Sequence, residues 1–331
     1  MSHTNYHEIK ADSYFDLGLK EGQLFSSQLN ESIENKKQLK NWESKLRKSK
    51  DYFALTEEAF PHLIEELQGY AKGAGVKFED LWALSLEDEL FDIDKCTTAI
   101  TNDGKLIAHN EDWDANSKNA ICVVKKSIPN LTILELFYYN TLGGNSISIN
   151  SNGFVQTINT LTHTDKQNPG IPRNITARWL SETSNPINDF KRFASLQRSA
   201  GYSHNFINPQ GEIWSVESSA EKKNISQVAS PYVHTNHYLT DLKTLENNDN
   251  SSGTFDRYKY AIRKITKSMS LNQMKELMSD GSQGRKISLF NERTIARMII
   301  DIENLKAYIW LLREDDKGWI DYDIDFGTFG S

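Results

Sequence analysis

The spacing of apolar side chains first changes period at Cys96, and that switch limits the fold more than any other feature. Before it, apolar residues recur at intervals of three and four, as on amphipathic helices; from Cys96-Thr97-Thr98-Ala99-Ile100 onward they alternate, as on strands. Phe15, Leu19, Phe25, Leu29 and Ile33 place one helical segment over 13–48. A second helix starts at Phe60-Pro61, where the missing N–H of proline costs nothing, and ends at Lys72-Gly73-Ala74-Gly75, with Ile64, Leu67 and Ala71 inward. A third covers 78–90. It runs into the acidic group Glu87, Asp88, Glu89, Asp92 and Asp94, which lacks the spacing of a calcium loop and reads as charged surface.

Past the switch, the sequence predicts a hairpin: a strand over 96–101, a turn at Asn102-Asp103-Gly104, and a return strand from Lys105 into Ala108-His109-Asn110-Glu111-Asp112-Trp113. A tight turn brings Asp112 level with, or just past, the start of the first strand, with its carboxylate close to Cys96. Further strands are expected over 121–125, 131–138, 146–150 and 154–158, with Asn152-Gly153 as a hairpin turn. Helices over 176–183 and 187–198 follow, then strands over 203–208 and 212–217. Two more helices cover 255–268, with Phe255, Tyr258, Ile262 and Ile265 inward, and 271–278; strands over 294–300 and 307–312 close the chain. Strand blocks separated by helical blocks imply stacked sheets with helices outside, an α+β fold.

The net charge is −7 and the basic residues are dispersed, so no footprint for nucleic acid exists. No apolar run approaches membrane-spanning length and no basic-then-apolar leader opens the sequence, so the expectation is a soluble, cytoplasmic protein without a membrane partner. With two cysteines, Cys96 and Cys122, count alone leaves a disulfide open, but two thiols in a long chain without a secretion signal more often stay reduced. Cys122, in Ala120-Ile121-Cys122-Val123-Val124, reads as a small buried hydrophobe. His234-Thr235-Asn236-His237 offers two imidazoles three apart, short of the three protein ligands a catalytic zinc takes, so no metal is expected.

A cysteine opening a strand is by itself more often structural than reactive. Cleavage of the peptide bond before Cys96 would change that, because it would free an amine of pKa about 8 beside a thiol of about 8.5. One residue would then carry both nucleophile and base.

Cys96-Thr97-Thr98, Asn110-Glu111-Asp112-Trp113, Asn150-Ser151-Asn152-Gly153 with Asn159 beyond it, Val216-Glu217-Ser218-Ser219 and His234-Thr235-Asn236-His237 occur in this order. The series resembles the isopenicillin N acyltransferase family, also described as acyl-CoA:6-aminopenicillanic acid acyltransferase-like, among the N-terminal-nucleophile hydrolases. The resemblance runs from about Glu66 to Asp301. It implies a four-layer αββα sandwich of two stacked antiparallel sheets in a single domain over 1–331, self-cleaved between Lys95 and Cys96. Residues 1–95 would form a mainly helical pro-segment, or α-subunit, and 96–331 the catalytic β-subunit, with the two remaining together as a heterodimer.

The same resemblance implies Cys96 as nucleophile, Asp112 as the group holding its amine, Asn236 as oxyanion donor, and Ser219 as an active-site hydroxyl, with Ser218 adjoining it. Asn110, Asn159 and Thr97 would line the substrate pocket. Asn159 reads equally as a buried amide pair, and Arg293 reads as a surface residue. Lys95 departs from the glycine usual before the nucleophile, whose freedom in φ helps the scissile peptide rearrange. The implied reaction is hydrolysis or transfer of an acyl group at a linear amide through a Cys96 thioester, without a cofactor. The substrate would be a small acyl amide or acyl thioester, with coenzyme A only as donor. The alternatives are an uncleaved relative acting as a binding protein and a lipid amide or ester hydrolase of the same fold.

Overall fold

Strands with apolar side chains on both faces need cover on both, and this chain supplies it in four layers. The computed structural model describes residues 2–86, 95–165, 169–246 and 253–326. It opens with β1 (Tyr6–Lys10), α1 (Tyr14–Lys37), α2 (Trp42–Ser49), α3 (Phe53–Ala59), α4 (Pro61–Ala74) and α5 (Phe78–Ser85). Next come β2 (Lys95–Thr101), β3 (Leu106–Asp112), β4 (Ile121–Ile128), β5 (Leu131–Tyr138), β6 (Ile147–Asn150) and β7 (Val155–Thr160). Helices α6 (Arg173–Leu180) and α7 (Pro186–Ser195) precede β8 (Tyr202–Ile207), β9 (Ile213–Ser218), β10 (Lys223–Val228) and β11 (Tyr232–His234). The last elements are α8 (Thr254–Lys264), α9 (Leu271–Met278), β12 (Thr294–Asp301), β13 (Lys306–Leu311) and β14 (Ile320–Asp323).

One sheet has the order β1-β4-β5-β6-β7-β8-β9-β10 and the other β11-β2-β3-β12-β13-β14. β1 joins β4 in parallel, and the other strand pairs are antiparallel. Period-two alternation sorts the side chains between layers. Cys122 and Val124 face outward to Leu17, Phe25, Leu67 and Tyr70 of α1 and α4. Ile121 and Val123 face inward to Ile100, Ile107, Met298 and Ile300 of the second sheet. The outer face of that second sheet presents Ala99, Ala108 and Ile299 to Ala261, Met274 and Leu277 of α8 and α9. The result is the αββα sandwich, α+β in class.

A buried charge cluster ties the first helical layer to its sheet. Lys126 Nζ lies 2.9 Å from Glu135 and 3.7 Å from both Glu21 and Glu66, while Arg178 lies 2.9 Å from Glu66 and 2.8 Å from Glu182. Above it α1 and α4 touch backbone to backbone: a Cβ at Gly18 would stand 1.8 Å from the Glu66 carbonyl oxygen.

Several boundaries differ from the sequence reading. The segment over 13–48 is two helices, and β1, β10, β11 and β14 are additional strands. The buried face of α8 is Thr254, Arg257 and Ala261, with Ile262 exposed. The acidic group over 87–94 lies outside the described residues.

Candidate active site

Cys96 sits at the second position of β2, opposite Glu111 of β3, because the turn at 102–104 closes the hairpin in a fixed register. Asn102, Asp103 and Gly104 all adopt positive φ, a conformation that Asn, Asp and Gly tolerate best. Alternation then sends Cys96, Thr98, His109 and Glu111 between the sheets, and Thr97, Asn110 and Asp112 toward α8 and α9.

Three elements meet at the thiol. Its S–H donates to the Ile158 carbonyl of β7 at 3.2 Å, and the amide Nδ2 groups of Asn159 and Asn236 each donate to Sγ at 3.2 Å. Asn236 also accepts the Cys96 N–H on its Oδ1 at 2.8 Å. Burial pushes the thiol far above its ordinary range and Glu111 adds to the push, against the Thr160 N–H and the Asn236 amide. In the intact chain the thiol is therefore neutral.

The loop that carries Asn236 is held at both ends. Glu217 of β9 accepts from His234 Nε2 at 2.9 Å, from the Leu239 N–H at 2.6 Å and from the Thr240 N–H at 3.1 Å. Burial raises its carboxyl, but these donors, His234 foremost, prevail and hold it below the usual range. The Asn236 N–H donates to Thr254 Oγ1 at the start of α8 at 2.8 Å. His234 and His237 thus serve the loop, His237 Nδ1 lying 3.0 Å from Thr235 Oγ1. Among the described residues no group of three His, Cys, Asp or Glu is placed to hold a metal.

The other sequence-derived candidates lie apart from the thiol. Asp112 pairs with Lys95, so it stands one residue past Cys96 on the opposite face, accepting from Thr294 Oγ1 at 2.6 Å and Asn291 Nδ2 at 2.8 Å. Burial raises its carboxyl; Arg257 is the chief opposing influence. Asn110 donates to the carbonyls of Met278 and Leu289 at 2.9 and 2.8 Å, which stitches the end of α9 to β3. Ser219 donates to Asp165 at 2.6 Å in the turn after β9, and Ser218 to the Tyr202 carbonyl at 3.1 Å. Arg293 is half-buried beside Trp113, whose backbone N–H donates to the Arg293 carbonyl at 2.8 Å.

Arg257 was not found from the sequence. It is buried on α8, donates from Nη2 to Asn236 Oδ1 at 2.7 Å and from Nε to Thr97 Oγ1 at 3.2 Å, and thereby joins Thr97 to the site. Burial lowers its pKa, with Asp112 the main opposing charge. The available signal was its spacing: Thr254, Arg257 and Ala261 recur at three and four, but an arginine does not register as a core position. A second unanticipated group is the pair His109–Glu111, with Nε2 and Oε2 3.0 Å apart between the sheets. Cys96 and Cys122 are free thiols on different sheets, and no described helix is long and apolar enough to cross a membrane.

Comparison with known proteins adds three findings. A family model described as acyl-coenzyme A:6-aminopenicillanic acid acyl-transferase matches residues 100–316, a span that includes Asn159, Asn236 and Arg257 and begins just after Cys96. Beta-alanyl-dopamine/carcinine hydrolase of Drosophila melanogaster is 28% identical over 158 residues, covering 40% of this chain and 41% of that protein. Among solved structures, a mutant of conjugated bile acid hydrolase from Clostridium perfringens aligns at 13% identity, with a TM-score of 0.43 over 71% of this chain and 94% of that one. Penicillin V acylase from Agrobacterium tumefaciens aligns at 12% and 0.44 over 71% and 89%.

Proposed function

The chain belongs to the acyl-coenzyme A:6-aminopenicillanic acid acyl-transferase family, a family of amide hydrolases and acyltransferases, and we propose that it works through Cys96 as an N-terminal nucleophile. The observation that carries this reading is the convergence on one thiol of two side-chain amides, Asn159 and Asn236, the second of which also holds the Cys96 nitrogen. A purely structural cysteine needs no such donors.

In the intact chain that nitrogen is a peptide N–H and cannot accept a proton. Cleavage between Lys95 and Cys96 makes it an amine within reach of its own thiol, with a pKa of about 8 when free. The thiol proton passes to the amine as sulfur attacks the carbonyl carbon of a bound acyl amide. Negative charge on the carbonyl oxygen then falls beside the Nδ2 donors of Asn236 and Asn159. The C–N bond breaks, the proton leaves with the departing amine, and water or a second amine resolves the thioester. Arg257 supports the Asn236 amide from behind, and Asp112 and Thr97 hold Arg257; Asn110 fixes α9 over the site. Ser219 is assigned to the processing and transfer steps on resemblance alone.

After cleavage, fragments 1–95 and 96–331 remain one heterodimeric domain. β1 is hydrogen-bonded along β4, and Glu21 and Glu66 of the first fragment face Lys126 and Arg178 of the second inside the protein. Separation would take Glu21 and Glu66 from Lys126 and Glu66 from Arg178, leaving these cations Glu135 and Glu182 alone.

The Drosophila melanogaster relative makes beta-alanyl-dopamine and carcinine the first amides to assay. The test is to quench a reaction with either and weigh the Cys96 peptide. The reading expects an acyl adduct on Cys96 that hydroxylamine removes, and no turnover by Cys96→Ala. Turnover by Cys96→Ala contradicts it.

A further inference from the structure

We infer that His109 and Glu111 are positioning residues: their buried pair fixes, through the Thr98 hydroxyl, which way round the Asn159 amide faces the Cys96 thiol. The pair lies on β3 directly across from β2, His109 opposite Thr98 and Glu111 opposite Cys96, and both residues are buried between the sheets. Nothing in the reaction as written above uses either one.

The argument is a count of protons. Glu111 receives the Tyr138 hydroxyl on Oε1 at 3.0 Å and the Ser146 hydroxyl on Oε2, and His109 Nε2 lies 3.0 Å from Oε2. A carboxyl group given two hydroxyl donors acts as a carboxylate, so Nε2 carries a proton toward it. His109 Nδ1 then lies 3.0 Å from Thr98 Oγ1. If Nδ1 is protonated as well, Thr98 must accept there. Its own proton is then free for Asn159 Oδ1 at 2.9 Å, or for Thr157 Oγ1 at 3.0 Å.

Asn205 adds a second donor to Asn159 Oδ1 at 3.0 Å. With its oxygen so occupied, Asn159 presents Nδ2 to Sγ at 3.2 Å. If Nδ1 instead accepted from Thr98, the hydroxyl proton would be withdrawn from Asn159 and one of the two donors to its Oδ1 would go, leaving Asn205 and the long 3.5 Å bond from Nδ2 to the His234 carbonyl. A flipped amide would present an oxygen to the sulfur, which favours S–H over thiolate. The imidazole state, one hydroxyl rotor and one amide orientation are thus linked in series.

The catalytic consequence rests on the proposal that Cys96 is the nucleophile, but the linkage can be read without turnover. The experiment uses the full chain carrying Cys122→Ala, so that Cys96 is the only thiol, and follows thiolate ultraviolet absorbance against pH and the rate of alkylation by iodoacetamide. Thr98→Val should slow alkylation near neutral pH about tenfold, equivalent to about one unit in thiol pKa, and Thr98→Ser should restore it. The double variant His109→Leu/Glu111→Gln, which removes both members of the pair at once, should cost a similar factor. It should add nothing in a Thr98→Val or an Asn159→Ala background. Equal losses in all backgrounds, or an unaltered rate in Thr98→Val, overturn the linkage. If the double variant does not fold by thermal unfolding, the single variant His109→Gln, with and without Thr98→Val, decides: slower alkylation that Thr98→Val does not deepen supports the linkage, and an unaltered rate or additive losses overturn it. Turnover by Cys96→Ala would overturn the nucleophile and leave this result standing.

Discussion

Asn236 grips Cys96 at two atoms, its Oδ1 accepting the backbone N–H at 2.8 Å and its Nδ2 donating to the sulfur at 3.2 Å. The two halves of one amide therefore serve different steps: Oδ1 orients the nitrogen that becomes the base, and Nδ2 faces the place where oxyanion charge develops. Substitution can separate them. Asn236→Asp keeps an acceptor for Cys96 and Arg257 but loses the donor; Asn236→Ala loses both. On material already cleaved, both should lower kcat about a hundredfold to a thousandfold with less change in KM. Asn236→Asp should retain self-cleavage better than Asn236→Ala. Near-normal kcat with collapsed substrate affinity would make Asn236 a binding residue.

Arg257 reaches Asn236 and Thr97 with two different nitrogens, at 2.7 and 3.2 Å, a task for a planar fork. Arg257→Lys keeps the charge near Asp112 but cannot make both bonds at once. The expected result is a loss in kcat of about tenfold to a hundredfold, the scale of one charge-assisted hydrogen bond, without rescue by lysine. Steady-state kinetics of Arg257→Lys and Arg257→Gln side by side check this; a lysine variant at wild-type rate would show that only the charge matters.

The sequence revealed the frame of the site better than its contents. The β2–β3 hairpin was legible because Asn-Asp-Gly supplies the positive φ angles and alternation fixes the register, and α4 because Pro61 and Gly75 mark its ends. Strands β1, β10, β11 and β14 were not. β10 is an edge strand with no fully buried residue, Lys-Asn-Ile-Ser-Gln-Val, held by backbone pairing to β9 with little apolar alternation to read. Asp112 was placed near the start of β2 correctly along the strand, but the opposite face it occupies follows from pairing with Lys95, a matter of one residue in register. Arg257, His109 and Glu111 are polar residues in core positions, which patterning reads as surface. Their partners are remote in the chain: Arg257 reaches back 160 residues to Thr97, and Glu111 takes the hydroxyl of Tyr138 on the facing sheet.

The buried carboxyl of Glu21 sets a pH dependence of stability. Burial raises its pKa to about 8, with Lys126 the strongest opposing charge and Glu66, Arg178 and Glu135 also facing it. A carboxyl raised in the folded state binds a proton that the unfolded chain releases near 4.3. Its stabilising share is whole below that value and is lost as pH rises toward about 8. Glu21→Gln, an uncharged isostere, should therefore gain Tm relative to wild type as pH rises from 5 to 8, on the order of a few degrees. Differential scanning calorimetry across that range checks it, and a Tm difference that is flat or falls with pH contradicts the assignment.

The central claim is that Cys96 becomes an N-terminus, and the intact mass of purified, active protein tests it most directly. The account predicts two masses for the wild type, matching 1–95 and 96–331, which co-elute on gel filtration as one particle. It predicts a single full-length mass for Cys96→Ala. A wild-type preparation that turns over an acyl amide while showing only the uncleaved mass would contradict it.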